Sequence, residues 1–174
     1  NILDIIENSI RAEASLICIE LDERIKDDIL SVKITDDGRG MNEEFVKQIT
    51  NPFVTTRTTR RVGLGLPFLK QLAEMCEGSL DLVSVPGEGT ELTLNLRLSH
   101  IDTPPVGDIA SVIHSVIHMN PEKDFVFTYK VNDNEFKLDI RDWKAVLEDV
   151  PINDFEVQKA LKKEIESGLK QIGR

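Results

Sequence analysis

The sequence predicts an α+β fold, a two-layer α/β sandwich in which a mixed sheet carries helices on one face. Three observations carry that reading. The chain opens with apolar residues at helical spacing, its middle holds four stretches of alternating apolar and polar residues, and the elements follow the order helix, strand, strand, short helix, loop, helix, strand, strand. So few helices between strands argue for an antiparallel or mixed sheet rather than a doubly wound parallel one.

Each element has its own local signal. In Asn1 to Arg11, Ile2, Ile5, Ile6 and Ile10 fall on one helical face, and Asp4, Glu7, Asn8 and Arg11 fall on the other. Asn1 stands inside this helical pattern with no Met before it, so residues are expected to precede it. Ser15 to Leu21 alternates as a strand through Leu16 and Cys18, the polar run Asp22 to Asp28 reads as a turn, and Leu30 to Thr35 is a half-buried strand ending at Asp36. Asn42 suits the N-cap of a short helix with acids in its first turn. Pro67 suits the first turn of a second helix along Leu66, Leu69, Leu72, Ala73 and Cys76, with Gly78 as its cap. Ser79 to Val85 and Thr90 to Leu98 then alternate as strands joined by Pro86-Gly87-Glu88-Gly89.

Composition narrows the function. A net charge of −10 disfavours a nucleic-acid surface, since affinity for a polyanion comes from Lys and Arg. No apolar run is long enough to span a membrane and no leader pattern is visible, so the expectation is a cytoplasmic protein without membrane contact. Cys18 and Cys76 sit in apolar company and read as buried thiols of a reducing compartment.

Four stretches carry chemistry. In Asp36-Asp37-Gly38-Arg39-Gly40-Met41, glycines after a strand tip let a flat ligand approach the main chain, while a carboxylate there can accept from an exocyclic amine; the same pattern also serves as a plain strand-ending turn. Gly63-Leu64-Gly65-Leu66 precedes a helix and leaves backbone N–H groups free for phosphate oxygens, without the Lys of a P-loop or the third glycine of the dinucleotide fingerprint. Between them, Arg57, Arg60 and Arg61 with Thr55, Thr56, Thr58 and Thr59 suit a segment that meets an anion, or an ordinary exposed loop. Asp4 and Asn8 are surface neighbours that can orient a water and complete the shell of a hard cation; the alternative is a solvated face with a Glu7–Arg11 ion pair.

Taken together, residues 1–98 resemble the GHKL superfamily of ATP-binding domains, which includes DNA gyrase B, the ninety-kilodalton heat-shock chaperone, histidine kinases and MutL. Glu-Asn-Ser-Ile-Arg-Ala at 7–12 is similar to the N box, Asp36 to Met41 to the first glycine box, Pro52-Phe53 to the F box of histidine kinases, and Gly63 to Leu66 to the second glycine box. The resemblance implies a sandwich of the Bergerat type and the cofactors ATP and Mg²⁺. It further implies that Asn8 holds the Mg²⁺, that Asp36 accepts the adenine amine, that Gly38 and Gly40 shape the adenine pocket, and that Gly63 and Gly65 shape the phosphate side. Met41, Phe53, Leu64 and Leu66 belong to the same boxes, and Thr90 would contact the purine end. Residues 54–62 correspond to a short ATP lid, from which Thr55, Thr56 and the three arginines are candidates for the phosphates. The family's hydrolysing members commonly place a general-base Glu four residues before the Asn; here Asp4 stands there, one methylene shorter. A displacement of about an ångström can cost roughly a hundredfold in rate.

The expected function is therefore an Mg²⁺-dependent ATPase or protein kinase catalytic module, the alternative a nucleotide-gated interaction switch with little turnover. A third reading is a small adaptor whose glycine turns are only structural. Residues 99–174 lie outside the resemblance. They read as a helix from Asp108 to Met119, strands at 125–131 and 135–140, a helix near 142–149 and a charged helix from Asp154 to Ile172. This helix–hairpin–helix extension is expected to bind a protein partner. His114 and His118, four apart beside Ser111 and Ser115, read as a polar helix face rather than a metal pair.

Overall fold

The computed structural model describes residues 2–50 and 65–174, with side chains through Lys47 in the first range. Six strands form one sheet in the order β3-β4-β2-β1-β5-β6: β1 Leu16–Arg24, β2 Ile29–Asp36, β3 Ser79–Val85, β4 Gly89–Arg97, β5 Asp124–Val131 and β6 Asn134–Asp139. All neighbours are antiparallel except β1 and β5, which run parallel with Ile17 beside Phe125 and Glu23 beside Val131. The sheet is mixed, as the sequence implied, and residues 99–174 extend it past β1 without a break.

The helices are α1 Ile2–Arg11, α2 Glu43–Thr50, α3 Gly65–Met75, α4 Ile109–Met119, α5 Ile140–Leu147 and α6 Phe155–Gln171. Their apolar sides and one face of the sheet bury a single core. It joins Ile5 and Ile6, Leu69 and Leu72, Ile113 and Ile117, and Leu161 and Ile165 to Ile17, Ile19, Leu21, Val32, Ile34, Leu94, Phe125 and Phe127. On the other side of the sheet Glu20, Lys33 and Glu91 reach solvent, and Lys33 pairs with Glu91 at 2.9 Å. Side-chain caps start the later helices: Asp108 accepts from Ser111 N–H at 3.0 Å, and Asp154 from Glu156 N–H at 3.0 Å.

The structure corrects several local expectations. The core face of β1 is Ile17, Ile19 and Leu21, not Leu16 and Cys18. Leu-Ile-Cys-Ile is apolar at consecutive positions, so alternation could not tell the faces apart. Asp22 to Arg24 continue the strand instead of turning, because β2 pairs with β1 as far as Arg24 and β5 as far as Glu23. After α3 the left-handed residue is Glu77, at φ 52°, and Gly78 is needed for another reason: a Cβ there would overlap the Asn95 carbonyl. The helix expected near 142 starts at Ile140, capped by Asp139, whose carboxylate accepts from Arg141 N–H. Cys76 is buried and Cys18 only half-buried beside Glu20, Asp139 and Arg141; both are free thiols. The His114 and His118 rings stack 6.4 Å apart and His114 Nε2 lies 3.2 Å from the Gln158 carbonyl; among the described residues no group of three metal-ligating side chains forms.

Candidate functional site

Asp36 ends β2 and is buried, 8% exposed as a residue. The Ser9 hydroxyl of α1 donates to Oδ2 at 2.6 Å and the Gly38 N–H donates to Oδ1 at 2.9 Å. A carboxylate has about four acceptor positions, so roughly half of its capacity stays available to a ligand. Asp37 does different work. Its Oδ1 accepts from Ser15 N–H at 2.7 Å and Leu16 N–H at 2.8 Å, which anchors the start of β1.

The loop after Asp36 is threaded between the end of α1 and the β3–β4 turn, and this is where glycine is required. Arg39 N–H donates to the Ala12 carbonyl at 2.9 Å, and Gly87 N–H donates to the Arg39 carbonyl at 2.8 Å. A Cβ on Gly40, which has φ +65°, would overlap the Val85 carbonyl; one on Gly89 would overlap the carbonyl of Asp36 itself. Met41 N–H donates to Ser84 Oγ at 2.8 Å, and Ser84 shares a 2.8 Å hydrogen bond with Thr90. Thr90 is the register partner of Asp36, so the two project side by side from adjacent strands.

These groups close one end of a cavity of about 450 Å³, within the range of small-molecule sites. Ile34, Met41, Phe45, Leu66, Leu82 and Leu92 give it apolar walls, Asn8, Ser9, Asp36 and Thr90 its polar points, and Arg11 and Arg39 contribute two guanidinium groups. Apolar walls around a buried carboxylate suit an aromatic base with an exocyclic amine.

Of the residues singled out in the sequence, Asn8, Asp36, Gly40, Met41, Leu66 and Thr90 line this one cavity, and Gly38 holds Asp36 from behind. Asp4 and Gly65 lie together where α1 approaches α3, a Cβ on Gly65 meeting that of Asp4 at 3.8 Å, and neither lines the cavity. The Glu7–Arg11 ion pair of the alternative reading is present at 2.8 Å, leaving Asn8 half-buried between the cavity and the surface. Phe53, Thr55, Thr56, Arg57, Arg60, Arg61, Gly63 and Leu64 fall outside the described residues. Sequence reasoning missed Ser9 and Ser84. Ser9 had a signal: it stands four after Ile5 and three after Ile6, a hydroxyl on the apolar side of an amphipathic helix and only 3% exposed. Ser84 had none, since its partners lie across two turns.

A family model described as "Histidine kinase-, DNA gyrase B-, and HSP90-like ATPase" matches residues 2–100. The "Non-motile and phage-resistance protein" of Caulobacter vibrioides is 36% identical over 80 residues, 43% of this chain and 10% of that protein. A "Putative sensor histidine kinase NtrY-like" of Rickettsia conorii is 33% identical over 103 residues, 59% of this chain and 17% of that protein. The "Sensor protein DegM" of Bacillus sp. strain B21-2 is 32% identical over 99 residues, 56% of this chain and 26% of that protein. The chain thus spans between about a tenth and a quarter of these curated relatives. In fold it is similar to the topoisomerase IV ATP-binding domain of Francisella tularensis, with a TM-score of 0.50, 16% identity, and 78% of this chain and 83% of that one covered. The N-terminal domain of a DNA repair protein gives a TM-score of 0.56 at 11% identity, covering 97% of this chain and 56% of that one. With its matched region covering more than half its length, the chain belongs to the family of histidine kinase-, DNA gyrase B- and HSP90-like ATPases.

Proposed function

We propose that the cavity at the end of β2 is an Mg²⁺-dependent ATP site of the histidine kinase-like type, in which Asp36 receives the adenine amine and Thr90 stands beside it. The observation that carries this reading is the Asp36 carboxylate: buried, held by Ser9 and Gly38, and facing an apolar cavity with acceptor capacity to spare. Asn8, on the same cavity, supplies a carboxamide oxygen of the kind Mg²⁺ accepts among waters and phosphate oxygens. An Mg²⁺ ion held there by Asn8 would supply neutralisation of phosphate charge. The chain's own residues select and hold the base, and exclude water from it with Ile34, Leu82 and Leu92. The relatives named as sensor histidine kinases favour transfer of the γ-phosphoryl group to a partner protein; we further propose that this takes place in the cytoplasm and that residues 99–174 meet the partner.

One observation favours a second reading, a nucleotide-gated switch with little turnover. Asp4 is exposed and off the cavity lining, a poor place from which to activate water in the described arrangement. ADP and Mg²⁺ titrations test the site. At a hundredfold excess over Kd, ligand should add roughly 2.7 kcal/mol of stability. Asp36→Asn should remove that gain and Asn8→Ala its Mg²⁺ dependence; unchanged titrations for both variants reject the assignment. Single-turnover hydrolysis of labelled ATP separates the two readings. Turnover lost in Asp4→Asn rejects the switch, and its absence in the unaltered chain and Asp4→Glu alike rejects the hydrolase.

A further inference from the structure

A second cavity, of about 540 Å³, lies at the opposite end of β1 and β2, between the segment 103–110 and the end of α6. Its walls include Leu30, Leu98, Val106, Ile109 and Leu169, and at its base is a carboxylate that the nucleotide site does not use. That group is Glu23, on the core face of β1 and 1% exposed. Its Oε1 accepts from the hydroxyl of Tyr129, itself fully buried. Its Oε2 is buried as well and pairs with the Arg174 guanidinium.

Burying a carboxylate is costly unless it is paired and its acceptor positions are filled. Here the compensation comes from a side chain that is itself 42% exposed. The turn after α6 delivers it: Arg174 N–H donates to the Leu169 carbonyl at 2.8 Å, with Gly173 at φ +89°. The cavity volume is what remains with Arg174 in place, so the guanidinium does not fill the space it enters. The other acids on the lining have partners of their own, Asp108 in Ser111 at the start of α4 and Glu166 in Lys162 at 3.9 Å. A buried anion with spare acceptor capacity, apolar walls beside it, free volume and a half-solvated guanidinium at its mouth together specify a ligand class.

We propose that this cavity is a second small-molecule site, one that takes an organic cation with a guanidinium or alkylammonium head and a short aliphatic tail, and that Arg174 is the tethered group such a ligand displaces from Glu23. The head would satisfy both Glu23 oxygens and the tail would cover Leu30, Val106 and Leu169. Because Arg174 competes, the apparent affinity falls by the fraction of time the carboxylate is free: an Arg174 contact held nine-tenths of the time weakens binding about tenfold.

The test uses butylguanidinium and its uncharged isostere butylurea, with amide NMR shifts and thermal melting as readouts. The unaltered chain should show saturable butylguanidinium shifts along residues 103–110 and the end of α6. Arg174→Ala should bind about tenfold more tightly, and its melting temperature should be restored by butylguanidinium but not by butylurea. Adding Glu23→Gln should abolish the preference for the charged compound, and saturating ADP should leave the shifts in place, which separates this site from the nucleotide cavity. If the two compounds act alike on Arg174→Ala, or neither gives a saturable shift, the Glu23–Arg174 contact is a structural ion pair and the proposal fails. That comparison decides the matter even if the Glu23→Gln variant does not fold.

Discussion

Ser9→Ala isolates the contact on which the adenine assignment turns. The serine is 3% exposed and its hydroxyl is one of two donors to Asp36 among the described residues, at 2.6 Å; the other, Gly38 N–H, is fixed by the backbone. Alanine keeps the Cβ and opens almost no space, so the loss is that of a hydrogen bond to a charged group, about 1.5–3 kcal/mol. In a domain of this length that lowers the melting temperature by about 3–12 °C. The carboxylate, held by one donor, can then turn about its Cβ–Cγ bond, and a misdirected acceptor should weaken ADP by roughly tenfold, the equivalent of about 1.4 kcal/mol. Calorimetric titration on Ser9→Ala, Asp36→Asn and the double variant would show the coupling. Both single changes remove the same oriented acceptor, so their effects on affinity should not add. A folded Ser9→Ala variant that binds ADP within twofold of the unaltered chain would refute the claim that this hydroxyl aims Asp36.

Two glycine substitutions should diverge. Gly40→Ala combines left-handed strain of about 1–2 kcal/mol with overlap onto the Val85 carbonyl, so the loop must move and ADP affinity should collapse along with stability. Gly87→Ala, at φ +79° with nothing near its Cβ, should cost the strain alone and leave ADP titrations unchanged. Alkaline pH tests the interior of the second cavity. Burial pushes the Tyr129 phenol up to about 12, whereas in the unfolded chain it ionises near 10, so its contribution is complete below pH 10 and is lost as pH rises towards 12. Urea unfolding at pH 9 and 12 should show an alkaline loss of about 2–3 kcal/mol that Tyr129→Phe lacks; equal losses would remove Tyr129 as its source.

What could be read from the sequence was what depends on near neighbours. The four isoleucines of α1 announced a helix, and Ile5 and Ile6 are buried in it; Asp108 and Asp154 stood where a cap should stand and do cap. β2, β3 and β4 alternate cleanly because one side of each meets the core and the other meets water or its edge. What was not legible depends on partners far along the chain. Ser9 meets Asp36 across 27 positions, and Tyr129 meets Glu23 across 106. Glu23 lay inside a run of charges and read as turn; pairing with β2 on one side and β5 on the other keeps that position in the strand and turns it inward. Local pattern likewise could not say that the sheet would continue past Leu98 through a parallel pairing, since Lys123 Nζ and Asp124 N–H dock on the carbonyls of Ala14 and Ser15 more than a hundred residues earlier.

The two cavities share a pair of strands, which raises the question of whether they communicate. Ile17 faces Asp36 at one end of the β1–β2 ladder and Glu23 faces Leu30 at the other. Six residues separate the ends, about 20 Å of strand. Both acids point to the same face of the sheet, yet Leu21, Val32 and Ile34 are packed between them at 4% exposure or less, and among the described residues none lines both cavities. Coupling requires an element with two arrangements that both ligands bias. A strand pair bonded along its whole length between packed neighbours offers none, and changes this far apart without shared partners normally add to within about half a kcal/mol. ADP affinity in Arg174→Ala, and in the unaltered chain saturated with butylguanidinium, should therefore stay within about twofold of its original value. Because linkage is reciprocal, one measurement covers both directions. A tenfold change would show that the core between the ends has a second packing, and the rigid-ladder argument would have to be abandoned.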